Sequence, residues 1–289
     1  MITDSYGQNW YKVGLHIHTT LSDGRKSPED VIRLYRENGY DAIALTDHWR
    51  YGEGRREEGL LILSGCEYND PEHDGTVGVM HIVGVGMERN PDLTVGTPHT
   101  QVVEEIRACG GLPILAHPAW SMNTLADAQA LPGIVHTEVY NAVSEAHESL
   151  RAYSEFFVDM CANAGICYGI LATDDTHYFD GSDECKGWVM VRAAECTREA
   201  IIKALREGDY YASQGPELYV TREDNRFTVE CSPCVCLSVL SNLAWTAGRT
   251  VRGEDVTGHV YECRPEEKWI RIQCRDKDGR MAWSNVFRV

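Results

Sequence analysis

The sequence predicts an α/β fold: a (β/α) barrel of about seven strands, followed by a small antiparallel β module. Three observations carry this. Short, wholly apolar runs alternate with amphipathic stretches of helical period. Most of the runs end in His, Asp or Glu, as at the C-terminal face of a parallel barrel. Helical periodicity then disappears after residue 216.

The first strand is Val13-Gly14-Leu15-His16-Ile17-His18, whose alternation puts both imidazoles on one face. Asp23 follows in a Ser-Asp-Gly turn that can fold back over the strand end. Ser27-Pro28-Glu29-Asp30 starts a helix, with an N-cap serine, proline at the first position and a carboxylate at the third. Val31, Ile32, Leu34 and Tyr35 give its apolar face, and Gly39 stops it. Ala42 to Thr46 is a buried parallel strand running into Asp47-His48.

The same form repeats. Leu60 to Ser64 leads into Gly65-Cys66-Glu67-Tyr68, and Val79 to Val85 is a strand carrying His81. Residues 99 to 109 read as a helix, and Leu112 to Ala116 as a strand ending in His117-Pro118. Ile134 to Asn141 is strand-like, and a long helix is expected from Ser144 to Asn163. Tyr168 to Thr173 then ends in Asp174-Asp175-Thr176-His177, and a last helix runs from Thr197 to Gly208. Residues 217–289 alternate apolar and polar, as in Trp269-Ile270-Arg271-Ile272-Gln273, and predict an antiparallel β module, a sandwich packed on the barrel. The expected domains are therefore 1–216 and 217–289.

A formal net charge of -17 argues against a nucleic-acid backbone as main partner, because phosphate contacts need Lys and Arg in excess. No apolar run approaches the roughly 20 residues that span a bilayer, and no signal peptide is evident, so a cytoplasmic protein without membrane contact is expected. The 11 cysteines are odd in number and mostly scattered through apolar segments, as reduced buried thiols are. Cys231-x-x-Cys234 has no second such pair, which disfavours a structural zinc.

The strand-end residues His16, His18, Asp23, His48, Glu67, His81, His117, Asp175 and His177 form a metal-ligand constellation. Imidazoles with carboxylates and no thiolate suit Mn, Zn or Fe, with Mg a further candidate. Nine ligands exceed what one ion takes and suffice for two or three divalent ions, which a carboxylate can bridge. Asp47 and Asp174 fall on the opposite strand face and are expected to support the ligands instead. His73, His99, His136, His147 and His259 fall outside the pattern.

His16-x-His18 with Asp23, Thr46-Asp47-His48, Gly65-Cys66-Glu67, His81, Ala116-His117-Pro118 and Asp175-x-His177 resemble, in order, the motif set of the PHP (polymerase and histidinol phosphatase) family of metal-dependent phosphoesterases. The resemblance runs from about residue 11 to residue 216 and implies a distorted seven-stranded barrel with a trinuclear site. It implies that His16, His18, Glu67 and Asp175 hold one ion, Glu67, His81 and His117 a second, and Asp23, His48 and His177 a third. Asp23 stands where many relatives carry His, and only a short stretch separates His81 from His117, where the nucleotide phosphatases insert a helical subdomain.

The expected activity is hydrolysis of a small phosphorylated metabolite or short nucleotide by a metal-bridging hydroxide, with Glu67, His117 and Asp175 as the catalytic set. Arg50 and Arg25, in loops after ligand-bearing strands, are the expected phosphate-binding cations. A metal-dependent hydrolase of amide or lactone bonds is the alternative, and so is a non-catalytic metal-binding scaffold. No strand here ends in the lysine that amidohydrolase barrels use.

Overall fold

A computed structural model describes residues 1–4, 7–70 and 77–289 of the chain; His73 lies outside them. The N-terminal part contains β1 (Ile2–Thr3), β2 (Asn9–Gly14), α1 (Pro28–Glu37), β3 (Ala42–Ala44), β4 (Arg55–Glu57), β5 (Leu60–Leu63) and β6 (Gly65–Asn69). β7 (His81–Val85), α2 (His99–Ala108), β8 (Leu112–Leu115), α3 (Leu125–Ala130) and β9 (His136–Asn141) follow. After a single π-helical turn (Ser144–Glu148) come α4 (Glu155–Asn163), β10 (Gly169–Thr173), β11 (Trp188–Arg192), α5 (Arg198–Glu207) and β12 (Tyr210–Ser213). The C-terminal strands are β13 (Leu218–Glu223), β14 (Arg226–Ser241), β15 (Thr250–Glu262), β16 (Trp269–Arg275), β17 (Met281–Ser284) and β18 (Phe287–Arg288).

Helix ends follow the sequence signals. The Ser27 hydroxyl accepts the Asp30 N–H at 3.2 Å and Pro28 opens α1. Thr197 caps α5 through the Ala200 N–H, and Gly208 ends it with φ +79°. A capping box of Thr124 and Asp127 starts α3, an element beyond those expected.

Among the described residues the strands form one thirteen-stranded and one five-stranded mixed sheet. In the larger sheet β2, β3 and β5 run parallel, and β11 and β12 pair antiparallel to continue it. The smaller sheet runs β10-β9-β8-β7-β6, parallel at one end and antiparallel at the other. The main core lies between them and takes Val13, Leu15 and Val189 from one side and Val83, Ile114, Val139 and Ile170 from the other.

The expected distorted seven-stranded (β/α) barrel does not close among the described residues. β5 and β6 belong to different sheets, as do β10 and β11, and single bridges such as Ile17–Thr176 and His48–Glu67 span the gaps. One physical reason is visible at β10. The buried Asp174 carboxylate accepts the N–H groups of Cys185, Lys186 and Gly187 at 2.7–2.8 Å, so these donors bond a side chain rather than a neighbouring strand. A side chain at Gly187 would meet the Thr173 backbone at 2.7 Å, so only glycine allows this approach.

Three further expectations are corrected. The first long strand ends at Gly14, and His16 and His18 lie on the extended chain beyond it. The helix expected from Ser144 to Asn163 is broken: Leu150 adopts φ +60°, and the chain returns to pair with β9 through Asn141 N–H to Ala152 O and Ser154 N–H to Val139 O. Tertiary pairing there overrides helical periodicity. Finally, β13 to β18 extend the larger sheet through the β12–β17 ladder instead of forming a separate sandwich.

Candidate metal centre

His16 and His18 converge with Glu67 at the end of the strand region and with Asp175 after β10. The His16 Nε2 lies 3.1 Å from His18 Nε2, 3.1 Å from Glu67 Oε2 and 3.1 Å from Asp175 Oδ1. His18 Nε2 lies 3.0 Å and 3.1 Å from the same two oxygens. Such edges suit a polyhedron whose centre lies about 2.2 Å from each corner, the bond length of a divalent ion to N and O donors. Two ring nitrogens this close and aimed at two carboxylates could hold a cation.

Glu67 faces two ways. Its Oε2 belongs to that group, while its Oε1 lies 2.9 Å from His81 Nδ1 and 3.4 Å from His117 Nε2. A third group opens toward solvent: Asp23 Oδ1 is 3.4 Å from His177 Nε2, and Asp23 Oδ2 is 3.5 Å from His48 Nε2. The ligating atoms within each group, with His18 counted also in the third, lie within 4.8 Å of one another. All nine residues named from the sequence thus fall into three clusters. Asp175 Oδ1 and His48 Nδ1, both buried, make no hydrogen bond to the protein, as donors reserved for an ion would not.

Electrostatics agree with a site built for positive charge. Burial alone would raise the Glu67 carboxyl, yet His16, His48 and His81 hold it well below the usual carboxylate range. Asp175 is likewise held low, chiefly by His16 against the effect of burial. Conversely, burial would lower His16, but Asp175, Glu67 and Glu138 carry it well above its ordinary value. Burial also opposes protonation of His177, and its hydrogen bond to Asp23 raises it to about 9.

The clustered side chains are held by groups behind them. Glu138 Oε1 accepts from His16 Nδ1 at 2.7 Å, which directs His16 Nε2 to the cluster. Its Oε2 accepts the His117 N–H at 2.9 Å and the Asn141 amide at 2.9 Å, and the same amide reaches Asp175 Oδ2 at 3.1 Å. Ser121 Oγ sits 2.9 Å from His117 Nδ1. Asp47 accepts from the backbone and hydroxyls of Thr19 and Ser22, fixing the turn that carries Asp23. A side chain at Gly24 would strike the His18 carbonyl at 2.7 Å, so that turn closes only with glycine. His117 and Asp175 sit in left-handed backbone, at φ +25° and +52°, a conformation costing about 1–3 kcal/mol that the network sustains.

The clusters open on a cleft of about 430 Å³ lined also by Arg25, Asn69, Trp120, Ser144, Glu148 and Tyr178. The Arg25 guanidinium lies 4.4 Å from the Tyr178 ring centroid, and His147 stacks on the same ring at 3.7 Å. Arg50 is exposed and does not line the cleft. His136 is buried with Nε2 on Leu205 O, and His99 pairs with Asp70. His147 also lies near Asp180 and Asp183, but the Asp183 oxygens are taken by the His177, Tyr178 and Phe179 N–H groups. Glu138 and Asn141 carried a signal in the sequence, both standing at the end of a strand; Ser121, Asp183 and Trp120 carried none.

The PHP domain family matches residues 14–211, more than half of the sequence. The chain belongs to the PHP family. Over 124 residues it is 27% identical to an uncharacterized protein of Methanocaldococcus jannaschii, covering 37% of this chain and 67% of that protein. A two-domain protein from Bacteroides vulgatus, described as containing a predicted PHP-like metal-dependent phosphoesterase, superposes with TM-score 0.58 at 15% identity over 100% of this chain and 97% of that one. Endonuclease Q, bound to a 27-mer duplex with an abasic lesion, superposes with TM-score 0.51 at 14% identity over 69% of this PHP chain and 57% of its own. The PHP match encloses all nine residues of the three clusters, from His16 to His177. No helix among the described residues is long and apolar enough to cross a membrane.

Proposed function

We propose that this PHP protein is a metal-dependent phosphoesterase acting on a small phosphorylated metabolite or short nucleotide, with two or three divalent ions of Mn, Zn or Fe type. His16, His18, Glu67 and Asp175 would hold one ion, Glu67, His81 and His117 a second, and Asp23, His48 and His177 a third. The observation that carries this reading is Glu67, whose two oxygens face separate imidazole clusters beneath one cleft. Bound divalent ions would supply Lewis acidity toward the phosphate and a nucleophile from water at neutral pH.

The chain's own part is holding and orienting. Glu67, His117 and Asp175, which line the cleft, would stand nearest a reacting phosphate, and Glu138 would keep His16 and His117 aimed there. Arg25 would grip a phosphate oxygen: among the described residues its guanidinium has no ion pair and rests on Tyr178, ready to donate. Endonuclease Q binds a duplex, but a net charge of -17 and Arg25 as the only Lys or Arg lining this cleft among the described residues support a small substrate.

The test is hydrolysis of p-nitrophenyl phosphate and its bis-ester by Mn- or Zn-replenished protein, with and without chelator. Metal-dependent cleavage of either ester is expected. The reading fails if neither is cleaved while amides or lactones are turned over.

A further inference from the structure

The C-terminal strands hold a second chemically distinct cluster, made of thiols. Residues three apart on a regular strand face opposite sides. On β14, however, the pairing with β15 shifts: Glu230 pairs with Gly258 and Cys234 with Val256, so β14 advances from 230 to 234 while β15 moves only from 258 to 256. The resulting bulge, at Ser232-Pro233, turns Cys231 and Cys234 together, with their sulfurs 3.8 Å apart. Cys274 of the neighbouring β16 lies with them in the same buried cluster. Each of the 11 cysteines is free.

We infer that Cys231 and Cys234 are a redox-active dithiol that a small uncharged peroxide oxidises to an intrachain disulfide. The sulfurs need to close by less than about 2 Å to reach bonding distance. Access favours Cys231, 9% exposed beneath the exposed Pro233, over Cys234 at 1%. Chemistry favours it too. The neighbouring Cys274 and Cys234 lower the Cys231 thiol below its ordinary range, whereas burial pushes Cys234 up to about 12. The adjoining surface carries Glu254, Asp255, Asp276 and Asp278 against Lys277 and Arg280, a balance that disfavours anionic oxidants such as glutathione disulfide.

In the first step the Cys231 thiolate attacks one peroxide oxygen; the S–O bond forms, the O–O bond breaks, and hydroxide leaves to become water. Cys234 sulfur then attacks Cys231 sulfur; the S–S bond forms, the S–O bond breaks, and the departing hydroxide takes the thiol proton as a second water. Two thiols are oxidised and one peroxide is reduced to two waters.

The experiment uses the full chain, desalted from reductant and treated with a few-fold excess of hydrogen peroxide. Free thiols are counted under denaturant, and linked residues are mapped by differential alkylation and mass spectrometry. The expected result is loss of two thiols from 11, with Cys231–Cys234 the first linked pair, restored by dithiothreitol and at least ten-fold faster with peroxide than with glutathione disulfide. C274S should still form the link, whereas C231S and C234S should not. Retention of every thiol, or a first disulfide between any other pair, overturns the inference; because the mapping is done on the unaltered chain, it does not depend on a variant folding.

Discussion

The two ends of the candidate metal centre are built differently. At the inner end His16, His18, Glu67, His81, His117 and Asp175 are all buried, and Glu138, Asn141 and Ser121 brace them. At the outer end the Asp23 side chain is 53% exposed and those of His48 and His177 are 20% exposed, all three on loops. A buried, braced polyhedron keeps its shape without its ion, whereas an exposed one on loops costs little to open. We therefore expect ions at the inner end to exchange slowly and an ion at the outer end to exchange readily.

Glu67→Ala should have the largest effect. It removes the corner shared by the two inner groups, so both should lose metal together, with kcat falling roughly 10²-fold or more, about 3 kcal/mol in the barrier. Elemental analysis with phosphatase assays would measure this, and retention of normal metal content would contradict the shared corner. Glu138→Gln touches no ion but takes charge and an acceptor from His16 and His117. Affinity at the inner end should fall about 10–100-fold, read by competition with a chromogenic chelator.

Acidity acts on both ends. His16, His48 and His177 have raised pKa values, His177 to about 9, so near neutral pH metals must displace protons from them. Metal affinity should rise with pH, by up to about ten-fold per unit for each proton released. Titrations at pH 6, 7 and 8 would test this, and a pH-independent affinity would show that the imidazoles are already deprotonated. Asp23→Ala is the mildest change: one ion should bind about ten-fold more weakly while the inner ions stay, and added Mn should restore activity.

Local patterns made the clustered residues legible. His16-x-His18 places paired donors on one side of an extended chain, whereas Asp175 turns into left-handed backbone and His177 falls in a different cluster; Glu67 and His117 announce themselves where apolar runs stop. What was not legible depends on partners far along the chain. Asp174 takes three backbone donors beyond β10, and no periodicity reveals that this leaves the barrel open. Residues 151–154 look helical but are captured by the edge of β9. Arg50, two residues after His48, was the better-placed cation from spacing, yet it is exposed and does not line the cleft, whereas Arg25 lines it and rests on Tyr178.

The ladder joining β12 to β17 has a consequence for how the molecule comes apart. Ala212 faces Trp283 across that ladder, and Trp283 is fully buried in the core between the sheets while its Nε1 reaches Glu155 at 2.9 Å. Buried Arg271 of β16 likewise forks onto Asp159 of α4. The last seventy residues therefore contribute part of the first two hundred residues' interior, and the two are expected to melt together. Calorimetry of the metal-free chain should show one endotherm whose van't Hoff and calorimetric enthalpies agree. Trp283→Ala, costing about 3–5 kcal/mol, should shift that single peak downward without splitting it.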